Sequence, residues 1–264
     1  MADYFIIDTD AGVDDAVAIM MALDLMSQAK NSDKKLLGIT CCAGNTKVDK
    51  VARNVHLTLK IMRRMDIKIF KGCHCSIMNK YESYYYFGSD GLGNMVHKYE
   101  PLDVKVEQEH AVNALIKFVK EYPKQVSIVC IGPLTNIALA SRIEPKFFEL
   151  TKSLLIMGGN IDGLGNATAA AEFNFYYDPE AVDIVLTNVQ CPITILPWEL
   201  AYRTHISWCV LEKQNFPAKV ELNGELTRGQ LVVDKRSVSC ENGIEFILKV
   251  DVQYLKDLYE KMLL

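Results

Sequence analysis

The chain has 264 residues, half of them hydrophobic and 23% charged, with a net charge of -4 at neutral pH. This is the composition of an ordinary globular protein with enough chain to bury a sizeable core. No block of like charge argues for nucleic acid or an acidic membrane as partner, and no stretch approaches the roughly 20 apolar residues of a bilayer span. The opening Met1-Ala2-Asp3-Tyr4 lacks the basic start of a secretory leader. The eight cysteines are therefore read as reduced thiols of a cytoplasmic protein. Cys73-His74-Cys75 lacks a second pair at structural-zinc spacing and is not read as a metal site.

Apolar runs of strand length at 4–7, 36–41, 67–70, 126–131, 154–157 and 193–196 alternate with helical patterns at 16–25, 47–62, 111–119, 134–140 and 179–186. Such alternation predicts an α/β fold: a mostly parallel, doubly wound open sheet with helices on both faces. Continuous apolar strands predict burial on both sides of the sheet. No linker, repeat or low-complexity segment divides the chain, so 1–264 reads as one domain. Two stretches without regular pattern, 71–107 and 158–177, follow strand ends, where open α/β sheets bind ligands.

The strongest chemical signal is Asp8-Thr9-Asp10-Ala11-Gly12-Val13-Asp14-Asp15, which follows the first strand and opens the first helix. Four carboxylates in eight residues repel one another, and no Lys or Arg occurs between Asp3 and Lys30 to compensate them. Helix capping would need one side-chain oxygen. A hard divalent cation with oxygen ligands accounts for the excess. Gly12 is expected to let the chain turn sharply. An EF-hand loop starting at Asp8 fails, because its sixth and twelfth positions hold Val13 and Ile19 rather than Gly and Glu. A haloacid-dehalogenase-like phosphatase is the competing enzyme class, although Asp14-Asp15 has no role in that scheme.

With these residues in view, the sequence resembles the calcium-dependent nucleoside hydrolases of the inosine–uridine preferring type. The Asp8–Asp15 opening is similar to that family's signature. Gly44-Asn45-Thr46, Asp90-Gly91-Leu92-Gly93 and Gly132-Pro133-Leu134-Thr135-Asn136 follow in the family's order. So do Met157-Gly158-Gly159, Gly165-Asn166, Ala171-Glu172-Phe173-Asn174, Asp178-Pro179-Glu180 and Gly224-Glu225-Leu226-Thr227-Arg228-Gly229. The resemblance implies a purine/pyrimidine nucleosidase of nucleoside salvage that cleaves ribonucleosides to ribose and free base. Asp10, Asp15 and the carbonyl of Ile131 would bind Ca2+. Asp14, Asn166, Glu172 and Asn174 would hold ribose hydroxyls, with Asn45 near them. Asp10 would also take a proton from a calcium-bound water. Members of the family commonly associate, which implies a homo-oligomer.

The chain departs from the family between 196 and 224. There the family has a helical region with a further metal-binding aspartate, often preceded by His, and in many members a histidine that protonates the leaving base. No Asp lies between Asp183 and Asp234, and the chain is expected to be shortened around 205–217. Glu199, Glu212 and His205 are weak substitutes, because ligand geometry must hold to about half an ångström. A His found before the Gly in many members is Phe87 here. The aromatic run 84–87 suits either base stacking or packing. The alternative function is thus a non-catalytic isoform of the same fold.

Overall fold

The computed structural model describes residues 3–27, 33–78, 85–99, 102–200, 210–236 and 243–251, with 253, 254 and 257. Its main sheet has eight strands: β1 (Asp3–Thr9), β2 (Lys34–Cys41), β3 (Ile69–Lys71), β4 (Val126–Cys130), β5 (Ser153–Met157), β6 (Ile193–Leu196), β7 (Val210–Phe216) and β10 (Ile244–Val250). Their spatial order is β3-β2-β1-β4-β5-β6-β10-β7. Every neighbouring pair is parallel except β10 and β7. A separate antiparallel pair joins β8 (Ala218–Val220) to β9 (Leu231–Val233).

The helices are α1 (Val13–Ser27), α2 (Val48–Ile61), α3 (Ala111–Glu121), α4 (Thr135–Ile143), α5 (Phe147–Leu150), α6 (Phe173–Tyr177) and α7 (Pro179–Asn188). Amphipathic spacing explains how they pack. Val51, Val55 and Leu59 of α2, and Val112, Leu115 and Val119 of α3, recur at helical period and are buried. Successive side chains of a strand point to opposite faces. Ile6 accordingly joins the core under α3, α4 and α7, while Ile7 joins the one under α1 and α2. The sheet is doubly wound, as the alternation predicts.

The expectation of strands buried on both sides needs correction. Val126, Ile128 and Cys130 of β4 and Leu154 and Ile156 of β5 are buried, but Val129 and Leu155 between them are only half-buried. The cover from α1 and α2 concentrates over β1, β2 and β3. Beyond them, Met21 of α1 packs against Leu196 and Ile247. The sequence reading assigns no strand after 196, yet β7 and β10 extend the sheet. β10 buries Ile244, Phe246, Ile247 and Val250, whereas β7 is an edge strand with an exposed Leu-Glu-Lys centre. Of the region expected to be shortened, around 205–217, the structure describes β7 from Val210 onward; residues 201–209, with His205, lie outside the described residues. Among the described residues, no helix is long and apolar enough to cross a membrane.

Asn136 at the start of α4 locks the sheet's centre. Its side-chain amide donates to Asp8 Oδ1 (2.9 Å) and to the Cys41 carbonyl (3.1 Å), and its oxygen accepts the Cys73 N–H (3.0 Å). Asp8 also accepts from Thr40, its register partner on β2. Removing one member of a buried polar network leaves the others unsatisfied. Asn136→Ala should cost about 2–4 kcal/mol in urea unfolding; a loss under about 0.5 kcal/mol would contradict this role.

Candidate active site

From β1 the chain winds outward in one direction through β2 and β3 and in the other through β4, β5 and β6. Ligands of open α/β sheets bind beyond the carboxyl ends of the strands at such a reversal. A pocket of about 180 Å³ opens there. It is lined by Asp10, Asp14, Asp15, Asn45, Ile131, Asn166, Glu172 and Asn174, which are all the residues assigned to the site from sequence. Tyr86, Phe87, Met157, Ala167, Phe173 and Trp198 complete the wall. Of these, only the aromatic run was weighed as a contact for the base; Met157 and Phe173 stood in family-like segments without an assigned role. Trp198 follows β6 as Asp10 follows β1, and its place after a strand end was the available signal.

The aspartate turn is built by its own side chains. Thr9 Oγ1 accepts the Ala11 N–H (2.9 Å) and donates to Asp15 Oδ1 (2.7 Å), while Asp15 Oδ2 accepts the Gly12 N–H (2.9 Å). The left-handed residue is Ala11, with φ of 42°, and not Gly12. Glycine at 12 is required by space instead. A Cβ there would meet Asn45 Nδ2 at 2.6 Å and Asp14 Oδ1 at 2.9 Å. Asp10 is buried, and its Oδ2 accepts the Asn45 N–H at 2.6 Å. Gly44 makes that approach feasible, since a Cβ on it would lie 2.2 Å from the same oxygen. Asp14 is exposed at the helix start, where its Oδ1 accepts the Asp15 N–H (3.1 Å). Asp8 does not line the pocket; it is buried in the sheet, and Glu172 takes its place as the pocket's fourth carboxylate.

The second long loop is more ordered than its sequence suggests. Glu172 caps α6, accepting the N–H groups of Asn174 (2.9 Å) and Phe175 (3.2 Å), and also that of Gly159 (2.9 Å). Asn166 Oδ1 accepts the Phe173 N–H at 2.7 Å. Asn174 donates to the carbonyls of Ile131 (3.1 Å) and Met157 (3.2 Å). Turn-stabilising chemistry and pocket placement thus coexist in the same side chains. The remaining family-like segments serve as joints. Asp178 accepts from Thr135 Oγ1, Ile77 N–H and Ala181 N–H, and Glu180 pairs with Arg228.

Among the described residues, no lysine, arginine or histidine lines the pocket. Burial is the main force on its acids. It raises Asp10 to about 7, with Asp14 and Glu172 adding repulsion. It raises Glu172 to about 7 against three backbone donors. Asp15 is also raised, by burial and then by Asp10 and Asp14. Asp90 in the first long loop is the contrast: burial opposes its ionisation, but the N–H groups of Val96, Leu92 and Asn94 hold its carboxyl below the usual range.

The oxygen-only donor set suits a hard divalent cation. Asp10 Oδ1 is buried without a hydrogen-bond partner, as an oxygen awaiting a cation would be. The Ile131 carbonyl accepts one bond from Asn174 and keeps a second lone pair. Among the described residues, no group of three or more His, Cys, Asp or Glu side chains could hold a metal by itself. Two carboxylates, one carbonyl and water would therefore form the shell. Glu212 is exposed on β7, and the Glu199 carboxylate is engaged by the N–H groups of Ile161 and Asp162; neither lines the pocket.

The sequence profile of the inosine-uridine preferring nucleoside hydrolases matches residues 5–215. The inosine-uridine preferring nucleoside hydrolase of Crithidia fasciculata is 35% identical over 215 residues, covering 81% of this chain and 65% of that protein. Uridine nucleosidase 1 of Arabidopsis thaliana is 36% identical over 188 residues, covering 70% and 54%. The chain thus spans less than two thirds of either curated relative. Among solved structures, an inosine-guanosine nucleoside hydrolase superposes with a TM-score of 0.82 at 26% identity, over 99% of this chain and 98% of that one. A plant nucleoside hydrolase gives 0.84 at 24% identity, over 100% and 99%, which speaks for the fold.

Raised carboxyl pKa values make a definite pH signature. With calcium chelated, the folded protein holds more protons than the unfolded chain between about 4 and 7, so stability falls as pH rises through that window. Thermal melts in chelator should show that fall, and added calcium should reverse it above pH 7. A chelated protein that gains stability from pH 4 to 7 would count against the buried-acid picture.

Proposed function

The chain belongs to the inosine-uridine preferring nucleoside hydrolase family, and on that premise we propose that it hydrolyses the N-glycosidic bond of ribonucleosides to ribose and free base. The observation that carries this reading is the convergence of Asp10, Asp14, Asp15 and Glu172 in one pocket. Breaking an N-glycosidic bond builds positive charge on the sugar, and preorganised carboxylates stabilise it in a buried site. Asp14, Asn45, Asn166, Glu172 and Asn174 would hold the ribose hydroxyls. Fixing the ring against the attacking water is worth several kcal/mol of barrier, on the order of the orientation effects known for bound reactants. Asp10, anchored by the Asn45 N–H, would accept the proton of that water. Calcium, held by Asp10, Asp15 and the Ile131 carbonyl, would keep these acids ionised and make the water more acidic. Tyr86, Phe87, Phe173 and Trp198 offer an apolar wall to the base.

The phosphatase alternative belongs to a different family. The non-catalytic reading stays in the same family and rests on the aspartate expected between 196 and 224, for which the sequence offers none, since no Asp lies between Asp183 and Asp234. A cytoplasmic salvage role is part of the proposal. Cys41, Cys42, Cys73, Cys75, Cys130 and Cys191 are free thiols, the state that compartment maintains.

Ribose release from inosine and from uridine, with calcium and with chelator, tests the proposal. Chelator-sensitive turnover is expected, and Asp10→Ala should reduce kcat by about 10³-fold or more. Ribose binding without turnover of either nucleoside would favour the non-catalytic reading instead.

A further inference from the structure

The segment after β6 is fastened to the second long loop more firmly than a connection requires. The Trp198 N–H donates to the Gly159 carbonyl (2.9 Å), and the Leu200 N–H closes a turn onto Pro197 (3.0 Å). The Glu199 carboxylate accepts the Ile161 N–H (3.0 Å) and the Asp162 N–H (2.8 Å). Charge-assisted bonds of this kind are about twice as strong as neutral ones. They fix the backbone around Trp198, which lines the pocket. Tyr86, by comparison, is 77% exposed.

We propose that Glu199 is a positioning residue that holds Trp198 in place as the surface against which the nucleobase packs. The inference rests on the nucleosidase reading and assigns base recognition within it. A nucleobase presents a planar π-face that stacks on an indole, whereas ribose presents none. The sugar end of the pocket shares Gly159 with the clamp but has further anchors of its own. Glu172 also takes the N–H groups of Asn174 and Phe175 from its own helix, so losing Glu199 leaves it anchored. Base and sugar affinity should therefore separate.

The protein has two tryptophans, so Trp208→Phe leaves Trp198 as the sole indole reporter. In that background, with calcium, inosine affinity is taken from the KM of ribose release, ribose binding from calorimetry, and Trp198 emission from stopped flow. Inosine should change the emission and ribose should not. Glu199→Ala should weaken inosine binding about tenfold and leave ribose within about twofold. Glu199→Gln, which retains a carbonyl acceptor, should recover most of the loss. Inosine binding with unchanged emission, or equal weakening of inosine and ribose in Glu199→Ala, overturns the proposal while the nucleosidase reading stands. Failure of the unsubstituted protein to bind either ligand overturns both.

Discussion

Four carboxylates facing one pocket, with no positive side chain beside them among the described residues, are the constraint around which this protein is organised. A buried carboxylate is costly unless it is neutralised, bonded or paired. Asp14 is exposed, and the three buried acids are each handled differently. Asp15 is satisfied by Thr9 and Gly12, Glu172 by three backbone N–H groups, and Asp10 by one, which leaves its second oxygen orphaned. That oxygen, at the head of β1 in the centre of the sheet, is where the proposed cation would bind.

The scaffold spends its polar residues on keeping this arrangement rigid. Asn136 links β1, β2 and the loop at Cys73, while Asn54 of α2 donates to the Ala11 carbonyl (3.1 Å) and to the Asp90 carbonyl (2.7 Å). The strained turn and the loop bearing Tyr86 and Phe87 are thus held by a single amide. Gly44 and Gly132 permit the backbone to close on Asp10, since a Cβ on Gly132 would lie 2.7 Å from its nitrogen. Sites built on such packed elements hold their geometry better than sites on free loops.

Much of this was legible in the sequence, for identifiable reasons. Strand-length apolar runs and helical periodicity mark β1 to β6 and the longer helices, and crowded aspartates at a strand end without a nearby cation mark the pocket. Asn45, Asn166, Glu172 and Asn174 came from resemblance, because polar residues in a loop carry no spacing that separates a turn from a site. β7 escaped notice because a charged edge strand lacks a pattern decisive by itself, and β10 because its apolar run Ile244–Val250 is interrupted by Glu245 and Lys249. Glu199 was weighed as a metal ligand, and its contacts with Ile161 and Asp162 belong to pairings across the fold that no local rule reveals. The role given to Gly12 shows the limit of local reasoning about glycine: the strained angle falls on Ala11, and Gly12 is small because Asn45 and Asp14 crowd it.

The central claim is that these buried acids form a site completed by a divalent cation. Calorimetric titration of the chelator-stripped protein with calcium near pH 7, in two buffers of different ionisation heat, tests it most directly. Saturable binding with net proton release, lost in Asp10→Asn, is the outcome expected of carboxylates whose affinity for protons burial has raised. Calcium that evokes neither heat nor proton release in either buffer would contradict it.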